Sequence, residues 1–277
     1  MSGRVAQTQP RFFDGVAGRL FGIEFAPIGA AARATILIVP PFAEELNKSR
    51  RMLALAARAL AALGYRVLTV DLYGTGDSEG DFADARWEIW IEDLRRLAAT
   101  GASGTASPVS ILALRAGSLL AADLIADGAG VERLALWQPV SSGAQFLTQF
   151  LRLKIAADML GGNESGMAAL REQLAAGKPQ EVAGYMLAPE LARALEGRTL
   201  SSEALRVPRR VAWFEIVARQ EQALSVPGQR MTEKSRQDGA SIASETLVGL
   251  PFWSTPEIST VPGLVASTAR FFAEAAS

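Results

Sequence analysis

The stretch Val109-Ser-Ile-Leu-Ala-Leu-Arg-Ala-Gly117 contains a strand-to-helix pattern that recurs along this chain. Its first six residues are largely apolar and β-favouring and predict a buried strand, and the following segment, Ala116 to Ala126, predicts a helix. Strand-like and helix-like segments of this kind alternate along most of the 277 residues. Such alternation predicts an α/β protein with a mostly parallel sheet and helices on both faces.

The same alternation extends outward in both directions. The predicted strands are Ala34–Val39, Tyr65–Val70, Val109–Leu114, Leu134–Gln138, Val211–Val217 and Ala243–Leu250, preceded by a hairpin at Phe12–Pro27. The predicted helices are Lys48–Leu63, Arg86–Ala99, Ala116–Ala126, Gln229–Gly239 and Pro262–Ala275. Between Ser141 and Arg206 there is no clear strand, and helical periodicity dominates. We predict one structural domain, with a core formed by residues 1–140 and 207–277 and a helical cap insertion at 141–206.

Histidine and cysteine are both absent from the chain. A Ser–His–Asp triad needs an imidazole to take the serine proton, and a cysteine hydrolase needs a thiolate nucleophile. The sequence therefore excludes both forms of hydrolysis. The same absences remove the thiolate and imidazole ligands of zinc, and no carboxylate spacing supports a magnesium or calcium site. We expect no metal and no cofactor.

The charges of the chain are balanced, with 28 Lys and Arg against 29 Asp and Glu. A chain without excess basic charge lacks the electrostatic footprint of nucleic-acid binding. The N-terminal residues contain no apolar core of signal-peptide length, and no segment reaches the roughly 18 consecutive apolar residues of a membrane span. We expect a cytoplasmic protein with no nucleic-acid partner and no membrane span.

The loop Asp71-Leu-Tyr-Gly-Thr-Gly-Asp-Ser-Glu-Gly80, the order of strands and the position of the cap resemble the α/β-hydrolase fold. More narrowly, three segments resemble the exosortase A system-associated hydrolase 2 family. They are Pro40-Pro-Phe-Ala-Glu-Glu-Leu-Asn-Lys-Ser-Arg-Arg-Met52, Trp137-Gln-Pro-Val140 with Gln149-Phe-Leu-Arg-Leu153, and Pro251-Phe-Trp253. The resemblance spans nearly the whole chain. It implies a bacterial setting linked to exopolysaccharide production and to the sorting of PEP-CTERM proteins.

The resemblance to this fold places unusual residues at the catalytic positions. A G-x-S-x-G nucleophile elbow holds its serine on a strained strand-to-helix turn, and the matching turn here puts Arg115 at the nucleophile position. The acid position falls on Glu221, and the base position falls on Phe252 or Trp253. Ser118, three residues after the elbow position, is interpreted as a small packing residue rather than a relocated nucleophile.

Arg115 would lie at a helix N-terminus, where free backbone N–H groups and the helix dipole suit an anion. The alternative is an internal ion pair with Glu44 or Glu45, which follow a neighbouring strand and face the same pocket. In an extended loop these two adjacent side chains diverge, which does not match the facing carboxylates of a glycosidase. One of them could instead pair with Asp77 or Asp71 across the site.

The first predicted helix opens with a polar and basic run, Asn47, Lys48, Arg50 and Arg51. Cations at a helix N-terminus oppose its dipole, so a nearby carboxylate or an anionic partner should offset them. The candidate ligand-binding residues are Arg115, Glu44, Glu45, Asn47, Asp77 and Trp253.

Three functions are consistent with these residues. The first is a non-catalytic ligand-binding or regulatory protein that holds a small polar or anionic, glycan-related ligand beside the cap. The second is an unusual hydrolase in which Glu44, Glu45 or Asp77 activates water or attacks directly. The third is an interaction protein that meets a protein partner through the cap, including Trp137 and Phe146–Phe150.

The surroundings of Arg115 distinguish these functions. An Arg115 that lines an open pocket favours ligand binding. An Arg115 sealed in an ion pair beneath a packed Trp253 favours a scaffold or a partner-binding protein.

Overall fold

The computed structural model describes residues 6–29, 31–100, 109–162 and 166–274. The strands in these ranges are β1 (Gln7–Asp14), β2 (Arg19–Ala26), β3 (Thr35–Val39), β4 (Arg66–Val70), β5 (Val109–Leu114), β6 (Val131–Trp137), β7 (Gln180–Val182), β8 (Tyr185–Leu187), β9 (Arg210–Val217) and β10 (Ile242–Val248). The helices are α1 (Glu44–Ala62), α2 (Trp87–Ala99), α3 (Gly117–Ala126), α4 (Gly143–Leu160), α5 (Met167–Ala175), α6 (Pro189–Glu196), α7 (Ser202–Arg206), α8 (Val226–Gln237) and α9 (Pro262–Ala273), with a 3₁₀ turn at Phe82–Asp84.

Within the described ranges, eight strands form one sheet in the order β1-β2-β4-β3-β5-β6-β9-β10. The pairing is parallel from β4 to β10, and the β1–β2 hairpin joins this set in antiparallel pairing. Every residue of β3 and β5 is buried, as expected for central strands that are covered on both faces. The predicted mostly parallel sheet is confirmed.

Several element boundaries differ from their predictions. The hairpin strand β1 begins at Gln7 rather than Phe12, and α8 begins at Val226 rather than Gln229. The difference that matters for the site is in α1, which begins at Glu44, one turn before the predicted Lys48. The predicted end of the closing helix, Ala275, lies outside the described residues.

The segment between β6 and β9 carries α4 to α7 and the β7–β8 hairpin. The prediction that this segment contains no strand was therefore wrong. Each of the two strands has three residues, which is too short for an alternating pattern to stand out in the sequence. Phe146 and Phe150 of α4 place this segment against the sheet, since both rings contact Phe42 edge-on, at centroid distances of 5.8 and 5.2 Å.

Helices cover both faces of the sheet and create two apolar cores. The core on one face includes residues of α2, α3 and the inserted segment, and the core on the other face includes residues of α1 and α9. None of the helices in the described part of the chain combines the length and hydropathy that crossing a bilayer requires.

Candidate functional site

The turn between β5 and α3 is sharp and tightly packed. Arg115 adopts a positive φ of 54°, a conformation that side-chain-bearing residues rarely hold without support. Gly117 follows it, and a Cβ atom there would lie 2.6 Å from the carbonyl oxygen of Pro40 and 2.8 Å from that of Val39. Only glycine allows α3 to begin so close to the end of β3. The strand-turn-helix geometry of a nucleophile elbow is therefore present, with Arg115 at its tip.

Other strained residues lie at the same edge of the sheet. Ala43, Gln138 and Glu221 have φ values of 51°, 43° and 66°, and they follow β3, β6 and β9. In sheets of this type, ligands bind outside the carboxyl ends of the strands. Positive φ values also concentrate at functional sites. Both observations indicate that the candidate site lies around Arg115.

The Arg115 side chain lies in an internal ion pair under aromatic rings. Its Nε donates a hydrogen bond to Oε1 of Glu45 at 3.0 Å. The guanidinium carbon lies 5.3 Å from the ring centroid of Trp253 and 5.7 Å from that of Phe146. The side chain of Arg115 is 15% exposed. Of the two alternatives, the structure supports the sealed ion pair.

Glu45 is a buried carboxylate with an unusual proton affinity. Burial raises the pKa of Glu45 from 4.5 to about 7, although Arg115 pulls it down, and the neighbouring Glu44 raises it further. Burial also raises the pKa of Glu44. The Oε2 atoms of both residues are buried without a hydrogen-bond partner among the described protein atoms. The site therefore contains two carboxylate oxygens that can accept a proton or a hydrogen bond.

The two glutamates do not lie in the extended loop that we predicted. They form the first turn of α1, where negative charge interacts favourably with the helix dipole. Lys48 and Arg50 consequently fall in the second turn, so the predicted unfavourable cations at the helix start are absent from it. Helical geometry also separates the two side chains: Glu45 pairs with Arg115, and Glu44 lies near Lys48.

The β7–β8 hairpin covers the start of α1. The Nδ2 atom of Asn47 donates to the hydroxyl oxygen of Tyr185 at 3.1 Å. Burial raises the pKa of Tyr185, and the negative charge of Glu44 raises it further. The Tyr185 ring also packs edge-on against Phe82, at a centroid distance of 5.1 Å. Asn47 therefore joins the inserted segment to α1 beside the glutamates.

One small cavity lies beside the start of α3. A cavity of about 10 Å³ lies between the residues that follow β3, including Phe42 and Ala43, and the start of α3 at Ala116 and Gly117. A single water needs roughly 10–15 Å³ of such volume. This cavity has room for about one water and no substrate.

The acid and base positions carry no partner for a nucleophile. Glu221 is exposed on the loop after β9. Phe252 is fully buried, with its ring 6.1 Å from that of Trp137 and 5.2 Å from that of Trp253. Trp253 is 8% exposed and packs against Arg115. The base position is thus filled by aromatic packing.

The loop after β4 has its own ion pair. Arg50 donates two hydrogen bonds of 2.9 Å to Asp71, and the backbone N–H of Asp77 donates to the same carboxylate at 3.0 Å. Asp77 itself is exposed. Asp71 therefore pairs with Arg50, and the alternative in which Asp71 or Asp77 faces a glutamate across the site stays a prediction.

Two further predictions concern packing. Trp137, Phe146 and Phe150 are each at most 4% exposed, so the prediction that they form a partner-binding face was wrong. Ser118 is fully buried, and its hydroxyl oxygen lies 2.7 and 2.9 Å from the carbonyl oxygens of Arg115 and Val140, either of which can accept its single proton. Its hydroxyl therefore supports the elbow. Among the described residues, no group of three or more acidic side chains could hold a metal ion.

Comparison with known protein families identifies the family to which the chain belongs. Residues 30–186, more than half of the chain, match the family described as serine aminopeptidase, S33. The chain belongs to the S33 serine aminopeptidase family. A search of curated proteins finds no match to this S33 chain.

Solved structures show that this S33 chain has the predicted α/β-hydrolase fold. Est1E from Butyrivibrio proteoclasticus, solved with ferulic acid, is 12% identical with a TM-score of 0.68, covering 95% of this chain and 97% of its own. A carboxyl esterase from Bacillus coagulans is 16% identical with a TM-score of 0.64, covering 96% and 97%. An α/β hydrolase from Sphaerobacter thermophilus is 18% identical with a TM-score of 0.55, covering 95% and 100%. At these identities the likeness concerns the fold alone.

Sequence reasoning missed two residues of this S33 site. The carbonyl oxygen of Gln138 faces Arg115, and its Oε1 accepts a hydrogen bond of 2.7 Å from the backbone N–H of Ile216. Tyr185 lies on a hairpin that the sequence pattern did not reveal. The only available signal was the position of Gln138 directly after a predicted strand end, where ligand-binding residues of α/β sheets occur.

Proposed function

We propose that this protein is a non-catalytic member of its family that acts by binding, as a regulatory or scaffolding protein. The observation that carries this proposal is Arg115 at the elbow, paired with Glu45 and covered by Trp253. A nucleophile at this position needs a base within hydrogen-bond reach, and the chain has no histidine to supply one. The exosortase A system-associated resemblance suggests a setting in exopolysaccharide production and PEP-CTERM sorting.

The geometry supports a protein partner better than a small ligand at the elbow. The cavity beside Ala116 and Gly117 is too small for a sugar or a phosphate ester. Helix α4 instead exposes Leu153 in its middle and Met159 and Leu160 at its end, with 41%, 70% and 92% of their surfaces accessible. Met159 and Leu160 are adjacent, and contiguous exposed apolar surface is typical of protein contact sites. We therefore propose the exposed apolar residues of α4 as the partner surface, in place of the buried aromatic residues of the cap.

The test uses hydrolase probes on the full chain. We expect no labelling by a fluorophosphonate and no turnover of p-nitrophenyl acetate or of aminoacyl p-nitroanilides above the buffer rate. The matched control is Arg115→Ala, which removes the ion pair and should be equally inactive. Esterase activity of the natural chain that disappears in Arg115→Ala or in Glu44→Gln would overturn the proposal.

A second candidate function is hydrolysis by a carboxylate, and one observation favours it. Glu45 has a pKa of about 7 and an unpartnered Oε2, as a general base working at neutral pH would. This candidate requires the cap to open, because the cavity beside Ala116 and Gly117 holds no substrate. Turnover that rises with pH through about 7 and is abolished by Glu45→Gln would establish it.

A thermal-shift screen separates binding at the elbow from binding at the cap. Anionic sugars and lipid-linked sugar phosphates that bind at Arg115 must raise the unfolding temperature, since a ligand that binds the native state stabilises it. We expect no shift with the natural chain. A shift that Arg115→Ala abolishes would move the proposed binding site back to the elbow.

A further inference from the structure

A second, larger cavity lies on the other side of the glutamate helix. It has a volume of about 160 Å³ and lies between α1 and the strands β2, β3 and β4. Its lining includes neither Arg115 nor Glu45, so it is separate from the site around the elbow. It is therefore an independent place where a molecule can bind.

Most of the walls of this cavity are apolar, and the ion pair of Arg50 with Asp71 lines one part of it. Phe21, Ile23 and Phe25 point toward α1 from alternate positions of β2, and Leu53 and Ala54 face them from the helix. An engineered cavity of about 150 Å³ with wholly apolar walls binds benzene, which sets the size of ligand that such a volume admits. The volume here suits one aromatic ring or a short acyl chain.

Positive charge lies beside this cavity, since Arg50 lines it and Arg58 lies over the ring of Phe25, another lining residue. Arg50, Ala54 and Arg58 follow one another at intervals of four residues on the same side of α1. Arg50 is neutralised by its two hydrogen bonds to Asp71. Arg58 is exposed, and its guanidinium carbon lies 5.7 Å from the ring centroid of Phe25. Among the described residues, Arg58 has no ion pair with an acidic side chain.

We propose that this cavity binds a small carboxylate with an apolar body, either an aromatic ring or a short acyl chain. The body lies beneath Ala54 between the side chains of β2 and α1, where its burial removes apolar surface from water. The carboxylate pairs with Arg58 beside the cavity, in the bidentate geometry that guanidinium groups favour. The body gives the affinity, and Arg58 gives the preference for an acid over a neutral analogue.

The experiment is a fluorine NMR titration of the full chain with 4-fluorobenzoate. We expect saturable binding by the natural chain. Ala54→Leu fills the cavity and should weaken binding at least tenfold. The matched control is Ala62→Leu, which makes the same change at an exposed position of the same helix and should leave binding unchanged. The proposal is wrong if the natural chain shows no saturable binding, or if Ala54→Leu binds as well as Ala62→Leu.

A second experiment tests the role of the Arg58 charge, and its result does not depend on whether Ala54→Leu folds. Arg58→Gln is a surface change, and it should weaken the binding of 4-fluorobenzoate about tenfold. Neutral fluorobenzene should bind the natural chain and Arg58→Gln equally. Equal affinity of 4-fluorobenzoate for the two proteins would exclude Arg58 as the carboxylate partner and overturn the proposed ligand class.

Discussion

Arg115 and Glu45 illustrate the balance of forces in a buried ion pair. Both side chains lose water on folding, as the exposures of 15% and 9% show. The attraction between the charges and the hydrogen bond of 3.0 Å must offset that loss. The pKa of Glu45 of about 7 indicates that desolvation outweighs the attraction at this carboxylate. We therefore expect the pair to contribute little to the net stability of the protein.

This balance predicts different effects for removing one charge and for removing both. Arg115→Met leaves Glu45 buried without a counter-ion and should lower the free energy of unfolding by about 3 kcal/mol at pH 8. The double variant Arg115→Met with Glu45→Leu removes both desolvation costs and should be close to the natural chain. Urea unfolding curves at pH 8 measure both values. A double variant as unstable as the single one would show that the pair itself stabilises the fold.

The raised pKa of Glu45 predicts a pH-dependent stability. The folded state binds the proton more tightly than the unfolded state, whose pKa lies near 4.5. The contribution is therefore fully present below pH 4.5 and is lost as the pH rises through about 7, by roughly 3 kcal/mol in total. Glu45→Gln keeps an acceptor for Arg115 and does not titrate, so its unfolding free energy should fall less between pH 5 and pH 8.

The control for this pH experiment is the comparison of the natural chain with Glu45→Gln over the same pH range. Burial raises the pKa of Glu44 in the same direction, but Glu44 is present in both proteins, so their difference reports the titration of Glu45 together with its coupling to Glu44. Parallel pH profiles for the natural chain and Glu45→Gln would contradict a pKa near 7 in the folded protein.

The sequence predicted which residue stands at the elbow but not which glutamate it binds. Arg115 follows from the small residues Ala113 and Gly117 around a predicted strand end. The choice between Glu44 and Glu45 depends on where α1 begins. Because the helix starts at Glu44 itself, adjacent residues turn about 100° apart, and only Glu45 pairs with Arg115.

At the scale of elements, the contact between α3 and β3 is the tightest constraint on the elbow. Gly117→Ala would place a Cβ atom within 3 Å of two backbone carbonyl oxygens, and backbone cannot move aside easily. We expect a loss of about 1–3 kcal/mol, the usual cost of overpacking. The matched control is Gly130→Ala, where the added Cβ meets no atom within 4 Å. Urea unfolding of both variants measures the difference, and equal stabilities would show that the turn can relax.

The long elements were predictable and the short ones were not. Strands such as Val109–Leu114 were predicted correctly, because a strand that is buried on both faces needs a continuous apolar sequence. The start of α1 was misplaced because the adjacent prolines and the acidic pair were assigned to a loop. The β7–β8 hairpin depends on packing against the core, where Val182 and Leu187 are fully buried, rather than on local propensity.

At the scale of the whole molecule, the inserted segment and the sheet share one apolar core. Phe42 lies where they meet. Its ring contacts Phe82 and Trp90 on the sheet side and Phe146 and Phe150 on the inserted side, all edge-on at 5.2–5.9 Å. A core that continues from one part into the other leaves no boundary at which the inserted segment could unfold alone.

This continuity predicts cooperative unfolding with Phe42 as a shared contact. The natural chain should show a single transition by scanning calorimetry. Phe42→Ala should lower the free energy of unfolding by about 3–5 kcal/mol and move the whole transition, since a buried phenylalanine leaves a cavity on both sides of the contact. Phe12→Ala, at a position that is 49% exposed, should cost far less. A separate low-temperature transition in Phe42→Ala, or in the natural chain, would show instead that the inserted segment is an independent unit that can open above Arg115.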